Sequence, residues 1–142
     1  MEGWAYPLTT DPMDARVAVV WGTKSEAVAR LAIPPGRTVA KVTLLIDRTF
    51  RDAWSLGEAG LVVDLPRARA IHMERVRRRR NQKLAETDAL MTRALESGDS
   101  LTLTPLKNVR QRLRDLPALI QADVDAAADP ATLHAIWPSE LT

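Results

Sequence analysis

Cysteine is absent from the 142 residues. That excludes disulfides, thiol catalysis, thiolate zinc sites and iron–sulfur clusters, and it suits a reducing compartment. Long apolar runs are absent too. The longest is far short of the roughly 20 residues a membrane span needs, and no basic-then-apolar leader opens the chain, so the expectation is a protein that stays in solution without an export signal of its own. Glycine is scarce at six residues, none in a G-x-G-x-x-G or Walker pattern, and Ser25, Ser55, Ser97, Ser100 and Ser139 avoid the G-x-S-x-G elbow. Only two histidines occur, His72 and His134, too far apart to present two imidazoles one helical turn apart. His72 reads as exposed, and His134 as capping or interfacial. Asp11 with Asp14 and Asp47 with Asp52 are carboxylate pairs that turns and caps explain more simply than acid–base work. The expectation is a non-enzyme without metal or cofactor. The net charge of +2 is too small to argue for nucleic acid from totals.

What the chain does have is apolar material for one core, 46% of its residues, and charge that is unevenly placed. Basic side chains crowd residues 67–83, with Glu74 the single acid among them. From residue 121 onward the ionised side chains are Asp123, Asp125, Asp129 and Glu140. These two regions are complementary and can meet within one molecule or between copies.

The hydrophobic period changes near residue 64. Before it, residues 16–21 and 39–46 are β-branched runs that predict strands, with a third at 61–63. A short helix capped by Thr23 or Ser25 lies between the first two, and the turn Pro34-Pro35-Gly36 follows it. A further turn or two of helix, capped by Asp47, is expected to hold Phe50 and Trp54 on one buried face with Arg51 and Asp52 outward. The first fifteen residues read as an irregular arm in which Trp4, Tyr6 and Leu8 alternate like an edge strand. After residue 64 the period is helical. Asp64 caps a helix with Pro66 in its first turn and Gly98 as its stop, about 45 Å at 1.5 Å per residue. Met73, Val76, Leu84, Thr87, Met91, Ala94 and Leu95 share one face with Arg80. A second helix from Thr104-Pro105 carries Leu106, Val109, Leu113 and Leu116 and stops at Pro117, and the two stripes are expected to pack antiparallel. Asp129-Pro130 opens a last short helix with Leu133, Ile136 and Trp137. The fold class is therefore α+β: residues 1–64 a small unit of 3–4 short strands with an N-terminal arm, residues 65–142 a helical hairpin and C-terminal tail.

Arg77, Arg78, Arg79 and Arg80 are the sharpest local feature. At 100° steps they spread around a helix, so they make no single phosphate-facing stripe, and no aromatics interleave to stack bases. Pairing of two or three of them with carboxylates of the protein or of a partner is expected. The tryptophans, four against one Phe and one Tyr, are core residues by default, with Trp4 and Trp137 the exceptions suited to anchoring another subunit. The candidate partner-binding residues are thus Trp4, Tyr6, Arg75, Arg77, Arg78, Arg79, Arg80 and Trp137. A nucleic-acid-binding module using the basic helix from Arg75 to Lys83 is the alternative, and a self-associating coiled-coil adaptor is a third reading.

Asp47-Arg48-Thr49-Phe50-Arg51-Asp52-Ala53-Trp54, then Val62-Val63-Asp64 and Ala68-Arg69-Ala70-Ile71-His72-Met73-Glu74-Arg75, resemble a family of small proteins encoded among the tail genes of tailed bacteriophages and prophages. Arg93-Ala94-Leu95-Glu96-Ser97-Gly98-Asp99, Arg110-Gln111-Arg112-Leu113-Arg114-Asp115 and Ile136-Trp137-Pro138 are similar to its later elements, in the same order. The ending is also similar to that of tail fibre assembly chaperones. The resemblance implies a non-enzymatic tail component or assembly helper in the virion tail or the bacterial host cytoplasm. Its partners would be other tail or tail-fibre subunits, with self-association compatible with that role; on the residues themselves no membrane is expected, and nucleic acid is the less favoured partner.

Overall fold

The computed structural model describes residues 2–8, 17–21, 25–43, 48–57 and 60–142. The chain divides into two units, Met1–Ala68 and Arg69–Thr142.

In the first unit the period of two produces β1 (Glu2–Pro7), β2 (Val17–Trp21) and β3 (Ala40–Thr43), an antiparallel sheet in the order β2-β1-β3. Ala5 stands opposite Val19 on one side and Ala40 on the other. The expected edge strand is therefore the central one. Alternation of Trp4 and Tyr6 with buried Gly3 and Ala5 specifies a strand and its faces, whereas edge or centre depends on partners far away in sequence. Between β2 and β3, α1 (Glu26–Arg30) closes on an Arg30–Glu26 pair at 2.7 Å, and the Ser25 carbonyl accepts the Ala29 N–H. Residues 16, 23 and 44–47, on which parts of the expected strands and caps fall, lie outside the described residues.

A second sheet pairs β4 (Trp54–Gly57) with β5 (Gly60–Val63). Trp54 thus leaves the helical face it was expected to share with Phe50. A 3-10 turn, Arg51–Ala53, ends before it, and cross-strand pairing with Val63 holds Trp54 extended. Both rings are nevertheless buried, and Arg51 and Asp52 point outward as expected. Ala5, Trp54 and Leu61 form the core, with Val17, Val19, Leu56 and Val63 packed against them, so the inner faces of the two sheets meet. Val62, one residue out of phase, faces solvent.

The second unit is helical and antiparallel, and the class α+β follows. Asp64 starts α2 (Leu65–Glu86) as expected, its carboxylate accepting the Arg67 N–H at 3.1 Å. The helix does not run unbroken to Gly98. It stops at Thr87, whose hydroxyl bonds the Leu84 carbonyl at 2.7 Å, and resumes as α3 (Asp88–Ser97). Such back-bonding competes with the helical ladder. Arg110 spans the break, donating to the Leu84 carbonyl at 2.9 Å and to the Asp88 carboxylate at 2.7 Å. Gly98 ends α3 in the left-handed region at φ 65°, where a side chain would be strained, and Asp99 caps the next helix by accepting from Leu101 and Thr102.

That helix, α4 (Ser100–Ala126), passes through both Pro105 and Pro117. The expected stop at Pro117 is overridden because Leu113 and Leu116 before it and Val124 after it stay buried on one face, with Ile120 packed beside them. A mid-helix proline costs about 3 kcal/mol. Burying each such side chain returns roughly 1.5–3 kcal/mol, so burial wins. α2 and α4 run in opposite senses: Arg69 reaches the Ala127 carbonyl, Arg80 that of Arg114, and Arg110 that of Leu84. Their shared core is Val76, Leu113, Leu116 and Leu141, with Leu84 and Ile120 against it. Two expected seam residues, Leu95 and Val109, are instead half exposed, and Ala94 takes the buried position on α3.

Candidate interaction site

The basic face of α2 meets the end of its own chain. Beyond α4, Asp129 caps α5 (Pro130–Ala135), accepting the Thr132 N–H at 2.8 Å, and a last 3-10 turn spans Ser139–Leu141. This C-terminal strap is gripped mainly through its carbonyls. His72 Nε2 lies 2.8 Å from the Ile136 oxygen, Arg79 Nε donates to that of Leu141 at 3.0 Å, and Lys83 Nζ to that of Thr142 at 2.7 Å. Leu141 is the apolar peg, buried with Val76, and Arg112 fixes Glu140 at 2.7 Å. Because a carbonyl only accepts, Nε2 of His72 carries the proton.

The four arginines therefore divide. Arg79 and Arg80 turn inward to backbone oxygens, whereas Arg77 and Arg78 are exposed. The carboxylate pairs that do form, Arg78–Glu74 at 3.9 Å and Arg79–Glu86 at 3.8 Å, are long and lie at the surface, where such pairs contribute little. Two of the four thus have carboxylate partners, as expected, and Arg79 and Arg80 add carbonyl partners, Leu141 in the strap and Arg114 on α4. Trp4 and Tyr6 sit half-buried in β1 of the first unit. In the second unit Arg75 and Trp137 come together with the two histidines around one hollow.

His72 itself escaped the reading of the sequence as an exposed side chain: it is 1% exposed. Its place on the face of Met73 and Val76, offset by one residue, was the available signal. Trp137 packs edge-on against it at 6.1 Å between ring centres. The pKa of His72 is lowered, first by burial, partly offset by the hydrogen bond to Ile136, and further by the charges of Arg75 and His134. A depressed folded pKa means that the unfolded chain binds the proton more readily, so this contribution to stability is complete above the unfolded value of about 6.5 and is lost as pH falls below it. The thermal midpoint of the helical unit should accordingly decline as pH is lowered from 7.5 toward 5. His72→Gln, which keeps a donor for Ile136, should flatten the decline. An equally steep profile in that variant would assign it to other groups. Asp99 and Asp129, lowered chiefly by their bonds to Thr102 and Thr132, act in a separate window, at and below the ordinary carboxylate range.

Among the described residues no group of His, Asp and Glu is arranged to hold a metal ion, and no helix is long and apolar enough to cross a membrane. Comparison of the chain with protein-family models, curated proteins and solved structures gives no match.

Proposed function

We propose that this chain is a non-enzymatic interaction protein associated with the tails of tailed bacteriophages, either a tail or tail-fibre component or an assembly chaperone that binds other tail subunits. The observation that carries an interaction role is the tip of the hairpin. Leu95 near the end of α3 and Leu101 at the start of α4 flank the Gly98 turn and both face solvent, Leu101 at 88% exposure. Large aliphatic groups gathered at one exposed end cost solvation unless a partner covers them. The assignment to tails rests on the ordered motifs from Asp47 to Pro138. Nucleic-acid binding is the weaker reading, because Arg79, Arg80 and Lys83 are engaged with carbonyls of the same chain and leave Arg77 and Arg78 as the outward pair.

Mass spectrometry of particles purified from the same host, together with the tail subassemblies that precede them, tests this. A structural component is expected in particles at fixed stoichiometry, and a chaperone in subassemblies alone. Absence from both would overturn the tail assignment. Sub-micromolar binding to random DNA at physiological salt, retained when residues 77–80 are all changed to lysine, would promote the nucleic-acid reading instead.

A further inference from the structure

Beside the end of the strap, the seam between α2 and α4 stays open. A hollow of about 230 Å³ lies there, lined by Lys83 and Glu86 of α2, Thr87 at the break, Val109 and Leu113 of α4, and Glu140 of the strap, with Arg112 at its rim. That volume falls below the roughly 300–1,000 Å³ of small-molecule sites and suits a side chain. Leu113 is buried and Val109 half exposed in its wall, and the aliphatic stems of Lys83 and Arg112 extend the apolar surface. Most polar ends on the rim are engaged within the chain: Lys83 Nζ donates to the Thr142 carbonyl at 2.7 Å, and Arg112 holds Glu140 at 2.7 Å. Glu86 is held more loosely, its pair with Arg79 being 3.8 Å long and its side chain 58% exposed.

The complement of this hollow stands on the next two turns of the same molecule. Leu90 follows Thr87 by three residues, which puts it on the same face, and it is half exposed outside the hollow of its own chain. Arg93, three residues further, is exposed and has no hydrogen-bond or ion-pair partner among the described residues. An apolar peg, a positive arm, an apolar pit and an acidic rim therefore share one side of the hairpin. Two copies related by a two-fold axis bring each peg to the other's pit and each Arg93 to the other's Glu86, which is the self-matching that an isologous interface requires. The strap shows that this seam accepts such a peg, because Leu141 already enters it with Val76 and Leu113.

We propose that this face pairs two copies of the chain, Leu90 of each copy entering the hollow of the other and Arg93 of each meeting the other's Glu86. The contact uses neither Leu95 nor Leu101 of the hairpin tip and does not depend on tail association.

Sedimentation equilibrium of the full chain tests the pairing, with helical circular dichroism to show that each variant is folded. A monomer–dimer equilibrium in the micromolar range is expected, as suits a small contact. Leu90→Glu, at an exposed helical position, should weaken it more than about tenfold, because a charge would have to enter an apolar pit. Arg93→Glu and Glu86→Arg should each weaken it about tenfold by setting like charges across the axis. The two changes together, in one chain or as an equal mixture of the single variants, should restore pairing. Leu119→Glu, also exposed on α4 but outside the hollow, should leave it unchanged. A monomer at every accessible concentration would overturn the proposal and leave the hollow to a side chain of another protein. A dimer indifferent to Leu90→Glu, equal loss in Leu119→Glu, or charge variants whose combination restores nothing would overturn it as well. Recovery of the protein in tail subassemblies is a separate readout, so a monomer found there contradicts the pairing and not the tail assignment.

Discussion

Phe50→Ala is expected to lower the stability of the N-terminal unit by about 3–5 kcal/mol, the range for truncating a buried aromatic. Phe50 is among the largest fully buried side chains of the protein and stands at the entry to the 3-10 turn, where its carbonyl accepts the Ala53 N–H at 2.8 Å. The turn in turn delivers Trp54 to β4, and the Ala53 carbonyl accepts the Asp64 N–H at 2.8 Å, closing β5 and the start of α2 onto it. Removing the ring opens a cavity under a segment whose backbone ties depend on its position. Hydrogen exchange of the β1 and β4 amides should accelerate strongly in this variant. Val62→Ala, on the solvent side of β5, should leave it nearly unchanged. Equal exchange in Phe50→Ala and the unmodified protein would mean that the site collapses without loss of packing.

Leu113→Ala should cost the helical unit about 2–5 kcal/mol. Leu113 is 4% exposed and lies with Val76, Leu116 and Leu141, so the cavity would touch α2, α4 and the strap at once. Val109, one turn earlier on the same stripe, is 50% exposed, and Val109→Ala should cost far less. The denaturant midpoint of the helical circular dichroism signal compares the two. Similar midpoints would show that the stripe read from the sequence, and not the burial seen in the fold, sets the energetics.

The tail segment provides a smaller version of the same comparison. Glu140 is held low in pKa first by a backbone N–H bond and also by Arg112, so its pairing persists through neutral pH. Arg112 is largely exposed and Glu140 half-buried, whereas Leu141 is fully buried, which makes Leu141, more than the charges, the anchor of the strap.

The sequence by itself determined the features whose causes are local. Asp64 and Asp129 are legible as caps because a short acceptor reaches an N–H three residues on, and Gly98 as a stop because it tolerates a left-handed backbone. The alternation of β1 and the stripe of Leu113 and Leu116 are likewise local, since they follow from the geometry of one element. The tertiary structure alone decided that β1 is central, that α4 survives Pro117, that Thr87 breaks the first long helix against Arg110, and that Arg79 and His72 serve the strap. Each of those outcomes turns on a partner far along the chain: Arg79 meets Leu141 across 62 positions, His72 meets Ile136 across 64, and Arg110 meets Leu84 across 26. An arginine run states that donors are present, but it does not state which acceptors will be brought to them. Closing such long loops is driven by burial summed over many side chains, so the identity of each polar partner follows from packing and is not encoded in the spacing of the residues themselves.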